Sequence, residues 1–111
     1  MRVFSFVVLL MLLGSSRVGA QEVVTVTMYY AAKGKMTADG TIIKNAEKQR
    51  ICAVSPDLLK KYPYGTRLYV EGFGYYIVHD RTARRMRGVV DLLIPRTKKA
   101  YTKHKVKIRK K

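Results

Sequence analysis

The chain has 111 residues, of which 23 are Lys or Arg and 7 are Asp or Glu, and its formal net charge is +16. This length predicts one small domain with a modest core. A single cysteine, Cys52, excludes a disulfide scaffold within the chain, and we expect it to be a small buried residue in a strand. No metal-ligand spacing, phosphate loop or Ser-His-Asp pattern can be read, so we expect no metal and no cofactor.

The first residues predict a secretory signal peptide. Arg2 provides a positive start, residues 4–13 are apolar, and "SSRVGA" ends in small residues. The apolar run is shorter than the about 20 residues that span a bilayer. We therefore expect cleavage after Ala20, no stable membrane insertion, and a secreted or periplasmic domain over residues 21–111. An uncleaved membrane anchor is the alternative.

The first half of this domain predicts two strands and a helical turn. Residues 22–30 alternate with period two, as a half-buried strand does. A loop rich in small residues and glycine follows over 31–45, and residues 51–55 predict a short buried strand. Ser55 followed by Pro56 and Asp57 is typical of the start of a short helix.

The second half predicts three or more strands. Residues 65–80 read as a hairpin whose loop is Gly72–Gly74, and residues 88–95 as a buried strand. Residues 104–111 alternate as well, with Val106 and Ile108 inward and lysines outward, so the basic end of the chain predicts a closing strand. Short strands at close intervals with hardly any helix predict an all-β domain, a small closed barrel. Closure removes exposed strand edges.

Two aspartates stand at the edges of apolar runs. On its strand, Asp91 shares a face with Val89 and Leu93, and by simple alternation Asp80 shares one with Val78. A carboxylate in apolar surroundings is costly unless it is hydrogen-bonded or its pKa rises. A raised pKa suits a general acid near neutral pH. The alternative is structural, because strand aspartates also cap loops by accepting backbone N–H groups. His79 is expected to be a half-exposed strand residue.

Four arginines follow Asp80, at positions 81, 84, 85 and 87. An opposite charge within about 4–6 Å lowers a carboxylate pKa by about 1–3 units, which is the wrong direction for a general acid. A general-acid role for Asp91 therefore requires these arginines to point into solvent or to pair with Asp80.

Several short motifs of the chain, and the order in which they occur, resemble the three-aspartate (3D) domain. This domain is the double-psi β-barrel found at the C-terminal end of membrane-bound lytic transglycosylase A. The resemblance covers residues 25–108 and implies six strands closed around a pseudo-twofold, with a groove across one face. The matching residues are Thr37-Ala38-Asp39-Gly40, Ala53-Val54, Tyr64-Gly65-Thr66, and Asp80 with Asp91.

The resemblance implies a lytic transglycosylase. Such an enzyme cleaves the β-1,4 link between N-acetylmuramic acid and N-acetylglucosamine without water and leaves a 1,6-anhydro product. Asp91 matches the general acid and base, and Asp80 a supporting acid. We expect Tyr30, Thr37, Asp39, Gly40, Arg81 and Arg84 to bind the substrate, although relatives often have a glycine-rich turn where this chain has the arginines.

The chain departs from the family pattern after Ala53-Val54, where Ser55-Pro56 displaces the usual acid to Asp57. The third aspartate is therefore Asp39 or Asp57, and we favour Asp39.

The strong positive charge predicts an anionic partner. A secreted protein meets peptidoglycan and other anionic envelope glycans first, and exposed arginines could hold the carboxylates of peptidoglycan stem peptides. A nucleic-acid partner is not expected, because the chain has no recognised nucleic-acid-binding module. We expect a monomer. A barrel that binds peptidoglycan or another anionic glycan without cutting it is the alternative to the enzyme.

Overall fold

The computed structural model describes residues 20–111, so the predicted signal peptide lies outside the described residues except for Ala20. The described part forms six strands and two short helices, which confirms the expected all-β fold. The strands are β1 (Glu22–Tyr29), β2 (Ile51–Val54), β3 (Arg67–Val70), β4 (Gly74–Arg81), β5 (Val89–Leu93) and β6 (Lys103–Lys110), and the helices are α1 (Ala46–Gln49) and α2 (Pro56–Leu59). No helix in this part is long and apolar enough to cross a membrane.

The six strands close into one barrel in the order β1-β5-β2-β4-β3-β6, with β6 pairing back to β1. The pairs β1–β5 and β2–β4 are parallel, and the other pairs are antiparallel. Exchanging β1 with β4, β2 with β5 and β3 with β6 leaves this pattern unchanged. The two halves are therefore related by a pseudo-twofold that passes through the β2–β5 pairing, as in a double-psi barrel.

The barrel interior is filled with side chains that alternate along each strand. The predicted closing strand is confirmed, because Val106 and Ile108 of β6 are buried while its lysines are exposed. The strand residues of the interior are Val24, Val26, Cys52, Val54, Leu68, Val70, Tyr76, Val78, Val90, Leu92, Val106 and Ile108.

Cys52 lies in this interior with no exposed surface. Burial, together with the negative charge of Asp91, raises the pKa of its thiol to about 12. A neutral, enclosed thiol is unreactive. Cys52 therefore packs as a small apolar residue, as expected.

A second, smaller apolar cluster lies outside the barrel. Ile43, from the segment between β1 and α1, packs on Ile51 of β2 and Leu93 of β5, with Tyr29 at the margin. A hydrogen bond from Ile43 N to the carbonyl of Lys35 (2.8 Å) holds this segment in a turn over the strands. The turn covers the outer surface of β5 and β2 beside the candidate site.

A matched pair of substitutions on β1 tests the inward and outward faces. Val26→Ala, at a position with 0% exposure, is expected to lower the free energy of unfolding by about 2 kcal/mol, because it removes two buried carbons and leaves a cavity. Val23→Ala, at 59% exposure, should change it by less than about 0.5 kcal/mol. Urea titration measures both, and equal effects would contradict the alternation.

Candidate functional site

Strand pairing places four side chains in one row across the outer surface of four neighbouring strands. Thr27 of β1 is opposite Asp91 of β5, Asp91 is opposite Ala53 of β2, and Ala53 is opposite Asp80 of β4. Residues opposite each other in a ladder share a face, and the neighbours of Asp91 along β5 point into the barrel. We call these four residues the carboxylate row. With strands about 4.8 Å apart, the backbones of Asp80 and Asp91 are separated by roughly 10 Å.

A β-bulge in β4 sets the direction of Asp80. Val78 is opposite Cys52, but the next pairing is Asp80 opposite Ala53, so His79 is an extra residue in β4. Val78 therefore points into the barrel and Asp80 points outward. This corrects the prediction from simple alternation that Val78 and Asp80 share a face.

Asp91 is half-buried in the middle of the row. Thr27 Oγ1 donates a hydrogen bond to Asp91 Oδ1 at 2.8 Å. Burial raises the pKa of Asp91 above its ordinary value of 3.8, the Thr27 hydrogen bond acts against this, and the negative charge of Asp80 adds to the rise. Within residues 20–111, Asp91 forms no salt bridge. Its surroundings therefore favour the protonated carboxyl.

Asp80 holds the turn that follows β1. Its Oδ1 accepts hydrogen bonds from the backbone N–H groups of Ala38 (3.1 Å) and Arg81 (3.0 Å). A second bond joins the same turn to β4, from Asp39 N to the carbonyl of His79 (3.2 Å). Asp80 therefore caps a loop, as the structural alternative expected, and also belongs to the carboxylate row.

Asp39 is anchored to β4 beside Asp80. Nδ1 of His79 lies 2.6 Å from Asp39 Oδ2, and the hydroxyls of Thr37 (2.7 Å) and Thr41 (2.8 Å) donate to Oδ1. Partial burial acts to raise the pKa of Asp39, but the hydrogen bonds from His79, Thr37 and Thr41 outweigh it and lower the pKa to about 2. Asp39 is therefore ionised at neutral pH and fixes the position of the turn.

Asp57, the other candidate for the third aspartate, holds a different loop. Its two carboxylate oxygens accept from Gly88 N at 3.2 and 3.1 Å, just before β5. Partial burial opposes the shift, but hydrogen bonds from Ser55 and Gly88 lower the pKa of Asp57. Asp57 thus fastens the arginine loop, residues 81–88, to α2. Asp39, in contrast, contacts the β4 segment that carries Asp80, and its assignment as third aspartate stays a prediction.

The arginines at positions 81, 84, 85 and 87 are all exposed, and within the described residues none forms a salt bridge. Arg81 reaches the hydroxyl of Tyr64 at 3.5 Å. Burial of Asp91 therefore determines the direction of its pKa shift, and the expected conflict with the arginines does not arise.

A cleft of about 400 Å³ lies beside the carboxylate row. Asp80 lines it, but Asp91 does not and lies half-buried on the other side of Ala53. Two cations stand at this cleft, Lys35 and Arg96. The remaining lining residues include Tyr29, Tyr30, Ala31, Met36 and Ile43.

Tyr29 is a candidate functional residue that the sequence did not single out. Its hydroxyl is buried and has no hydrogen-bond partner in the described part of the chain. Burial, and then the charges of Asp80 and Asp91, raise the pKa of Tyr29 well above 10. The hydroxyl therefore stays protonated, as a donor beside the cleft. The sequence shows that Tyr29 is on the same face of β1 as Thr27. It does not show that β1 pairs with β5, which brings Tyr29 close to Asp91.

The other predicted substrate-binding residues have structural contacts. Tyr30 lines the cleft, but its hydroxyl donates to the carbonyl of Lys98 and accepts from Ala100 N (3.1 Å). Thr37 is buried, and Gly40 turns the chain with a φ of 90°, which favours glycine. The structure brings Tyr30 to the cleft and Thr37 and Gly40 to the Asp39 turn. Their roles towards a substrate stay predictions, as do those of Arg81 and Arg84.

The chain is similar to the Bacillus subtilis (strain 168) protein named "Putative cell wall shaping protein YabE", with 32% identity over 65 residues. These residues are 59% of this chain and 15% of the relative, so the chain spans a small part of that protein. No protein-family model matches the chain, and no solved structure matches it.

The raised pKa of Asp91 predicts that Asp91→Asn stabilises the protein at neutral pH. The amide carries no charge for burial to penalise, and its oxygen can still accept the Thr27 hydrogen bond. Because the pKa of Asp91 is raised in the folded state, ionising this carboxyl lowers the free energy of unfolding. The penalty is absent below the ordinary value of 3.8, grows as the pH rises above it, and is complete above the folded-state pKa. Thermal unfolding should therefore show a gain near pH 7 that disappears near pH 3.

Asp39→Asn is the matched control with the opposite sign. The pKa of Asp39 is lowered to about 2, so its ionised form stabilises the fold at neutral pH, and this contribution is lost as the pH falls from about 4 through about 2. The variant should be less stable than the wild type near pH 7, with a difference that shrinks in acid. Equal destabilisation by both substitutions would contradict the assigned environment of Asp91.

Proposed function

We propose that the protein is a cell-wall enzyme of the three-aspartate (3D) family that cleaves peptidoglycan glycan without adding water. The observation that carries the proposal is Asp91, a half-buried carboxyl with a raised pKa, held by Thr27 in a row with Asp80. The family motifs, the closed six-stranded barrel and the likeness to a relative named for cell-wall shaping support it. Export to the envelope, with a cleaved leader, belongs to the same proposal.

In the proposed reaction, one carboxyl serves both proton transfers. Asp91 donates its proton to the glycosidic oxygen as the bond from that oxygen to the anomeric carbon of N-acetylmuramic acid breaks. The 6-hydroxyl of the same sugar then bonds to the anomeric carbon and gives its proton to Asp91. The carboxyl returns to its starting state, and the product is a 1,6-anhydro sugar. A group with a raised pKa is suited to give and regain a proton near neutral pH.

Asp80 and Tyr29 would support this step without exchanging protons. Bond cleavage at an anomeric carbon develops positive charge on the sugar, and the Asp80 carboxylate in the adjoining cleft favours that charge. The hydroxyl of Tyr29 is buried without a partner in the described residues, so it can donate to a sugar oxygen only once the atoms that cover it move aside. Arg96 and Lys35 line the cleft, and together with Arg81 and Arg84 of the arginine loop they would bind the carboxylates of stem peptides.

Digestion of purified peptidoglycan tests the enzyme directly. The wild type should release 1,6-anhydromuropeptides, identified by mass spectrometry, and Asp91→Asn should reduce their yield by at least about 100-fold, the usual contribution of a general acid or base. Thermal unfolding of Asp91→Asn is the control, and a midpoint at or above that of the wild type would show that lost activity does not come from unfolding. Equal product from both proteins, or reducing-end products alone, would refute the proposed reaction.

A glycan-binding barrel that cuts nothing is the second candidate, and the position of Asp91 off the cleft lining favours it. Such a protein should sediment with insoluble peptidoglycan, lose affinity as salt increases, and bind equally well as Asp91→Asn. Sedimentation together with absent 1,6-anhydro products would select this candidate.

Tyr29→Phe distinguishes a ligand-facing hydroxyl from a structural one. Because the hydroxyl has no partner in the described residues, its removal should leave the midpoint of thermal unfolding unchanged or slightly higher. Loss of a hydrogen bond to the glycan should weaken turnover or peptidoglycan binding by roughly 2- to 12-fold, equivalent to about 0.5–1.5 kcal/mol.

Tyr30→Phe is the matched control for this substitution, because the Tyr30 hydroxyl has two backbone partners. It should lower the unfolding midpoint. A Tyr29→Phe protein with full activity and binding would show that the Tyr29 hydroxyl does not contact the glycan.

A further inference from the structure

A cationic surface containing tyrosines lies on the outside of β6, β3 and β4. Arg109 is opposite Tyr69, which is opposite Tyr75. The Arg109 guanidinium lies 4.7 Å from the centre of the Tyr69 ring, the two tyrosine rings meet edge to face at 5.2 Å, and Lys111 Nζ lies 5.5 Å from the Tyr75 ring. We call these four residues, together with Arg67 on β3, the cation–tyrosine face.

A cleft of about 210 Å³ adjoins this face. Lys48, Arg50 and Arg67 line it beside Tyr75, and its lining contains no acidic residue. Arg50 is committed to the fold, because it donates to the carbonyls of Phe73 (2.5 Å) and Tyr75 (3.1 Å). The charge of Arg50 nevertheless remains at the cleft, so the cleft adds to the positive potential of the face.

The cations of the face are not neutralised by the protein. Across residues 20–111, Arg67, Arg109 and Lys111 form no salt bridge. Glu71, directly after β3, is not within 4.0 Å of any of them. Stacking on Tyr69 holds the Arg109 guanidinium in place while its N–H edge stays available, so less side-chain freedom is lost when an anion binds.

The centre of the face is on the far side of the barrel from Asp91, and the face shares only β4, which carries both Tyr75 and Asp80, with the carboxylate row. In the closed order β1-β5-β2-β4-β3-β6, β3 is three strands from β5 in either direction, and β6 is three strands from β2. Tyr69 and Asp91 are therefore on diametrically opposite strands. A ligand on the cation–tyrosine face would leave the cleft beside Asp80 open.

We propose that the cation–tyrosine face binds a linear polyol phosphate polymer, which carries a phosphodiester group in each repeat. The backbones of Arg109 on β6 and Lys111 directly after β6 are about 7 Å apart, and Lys111 N donates to the carbonyl of Arg67 on β3, so several phosphates of one polymer can be bound together. Guanidinium and ammonium groups bind phosphate oxygens strongly, and the hydroxyls of Tyr69 and Tyr75 are further donors.

The shape of the face favours an extended polymer over a bilayer. Its tyrosine rings contact each other edge to face, and its cations are spread along β3 and the end of β6. The exposed aliphatic residues that could enter a membrane, Val23, Met36 and Ile42, lie outside the face.

The test compares two triple variants of equal charge. Fluorescein-labelled poly(glycerol phosphate) is titrated with the protein over a range of NaCl concentrations, and binding is followed by fluorescence anisotropy. One variant carries Arg67→Gln, Arg109→Gln and Lys111→Gln. The control carries Lys33→Gln, Lys60→Gln and Lys99→Gln, at exposed positions outside the face. Circular dichroism confirms that both are folded.

The face variant should bind at least tenfold more weakly than the wild type. Its slope of log affinity against log salt should be smaller by roughly 2, at about 0.7 for each phosphate released. The control should lose less than about threefold. Equal losses in the two variants would overturn the proposal, because only net charge would then matter.

Vesicles with anionic phospholipids are the second arm. Binding to them that is tighter than binding to the polymer, and is lost in the face variant, would also overturn the proposal in favour of a membrane surface. Asp91→Asn should bind the polymer normally, so a failure of the proposed glycan cleavage leaves this result distinguishable.

Discussion

The register between β2 and β5 determines where the acidic groups of the site lie. Ala53 is opposite Asp91 across this pairing. A slip of β5 by one residue would turn Asp91 into the barrel and expose the core residues Val90 and Leu92, each worth about 1.5–3 kcal/mol when buried. Because the barrel is closed, the neighbouring ladders would have to slip as well. The core therefore fixes the outward direction of Asp91 more firmly than any contact that Asp91 makes itself.

The pseudo-twofold explains how two carboxylates can share one row. It exchanges Asp91 with Ala53 and Thr27 with Asp80, so equivalent positions carry different chemistry. An acid at position 53 would place two carboxylates on neighbouring strands, about 5 Å apart and strongly repelling. Alanine there moves the second carboxylate one strand further away. Thr27, at the equivalent position on the other side, supplies a hydrogen-bond donor to Asp91.

The sequence predicts those features of the fold and the site that depend on the residue pattern within one segment. Alternation identified β1 and β6, and the apolar neighbours of Asp91 on its own strand indicated the half-buried carboxyl. The bulge at His79 depends on the register with β2, and the unpartnered hydroxyl of Tyr29 depends on which strand lies beside β1. Neither strand is a neighbour in sequence. From the sequence, Tyr30 is therefore predicted as a binding residue and Tyr29 is not, although the Tyr30 hydroxyl is hydrogen-bonded to two backbone groups.

A chain with a net charge of +16 can keep a carboxyl of raised pKa because burial and long-range charge act over different distances. Burial of Asp91 acts through the atoms around it, whereas exposed cations are screened over about 8 Å at physiological salt. The arginine loop is the part of the surface that could bring a cation close to Asp91, because the loop leads directly into β5. Asp57 prevents this by holding Gly88, which fixes the end of the loop before the strand begins. The positive surface and the raised pKa of Asp91 can thus coexist in one small domain.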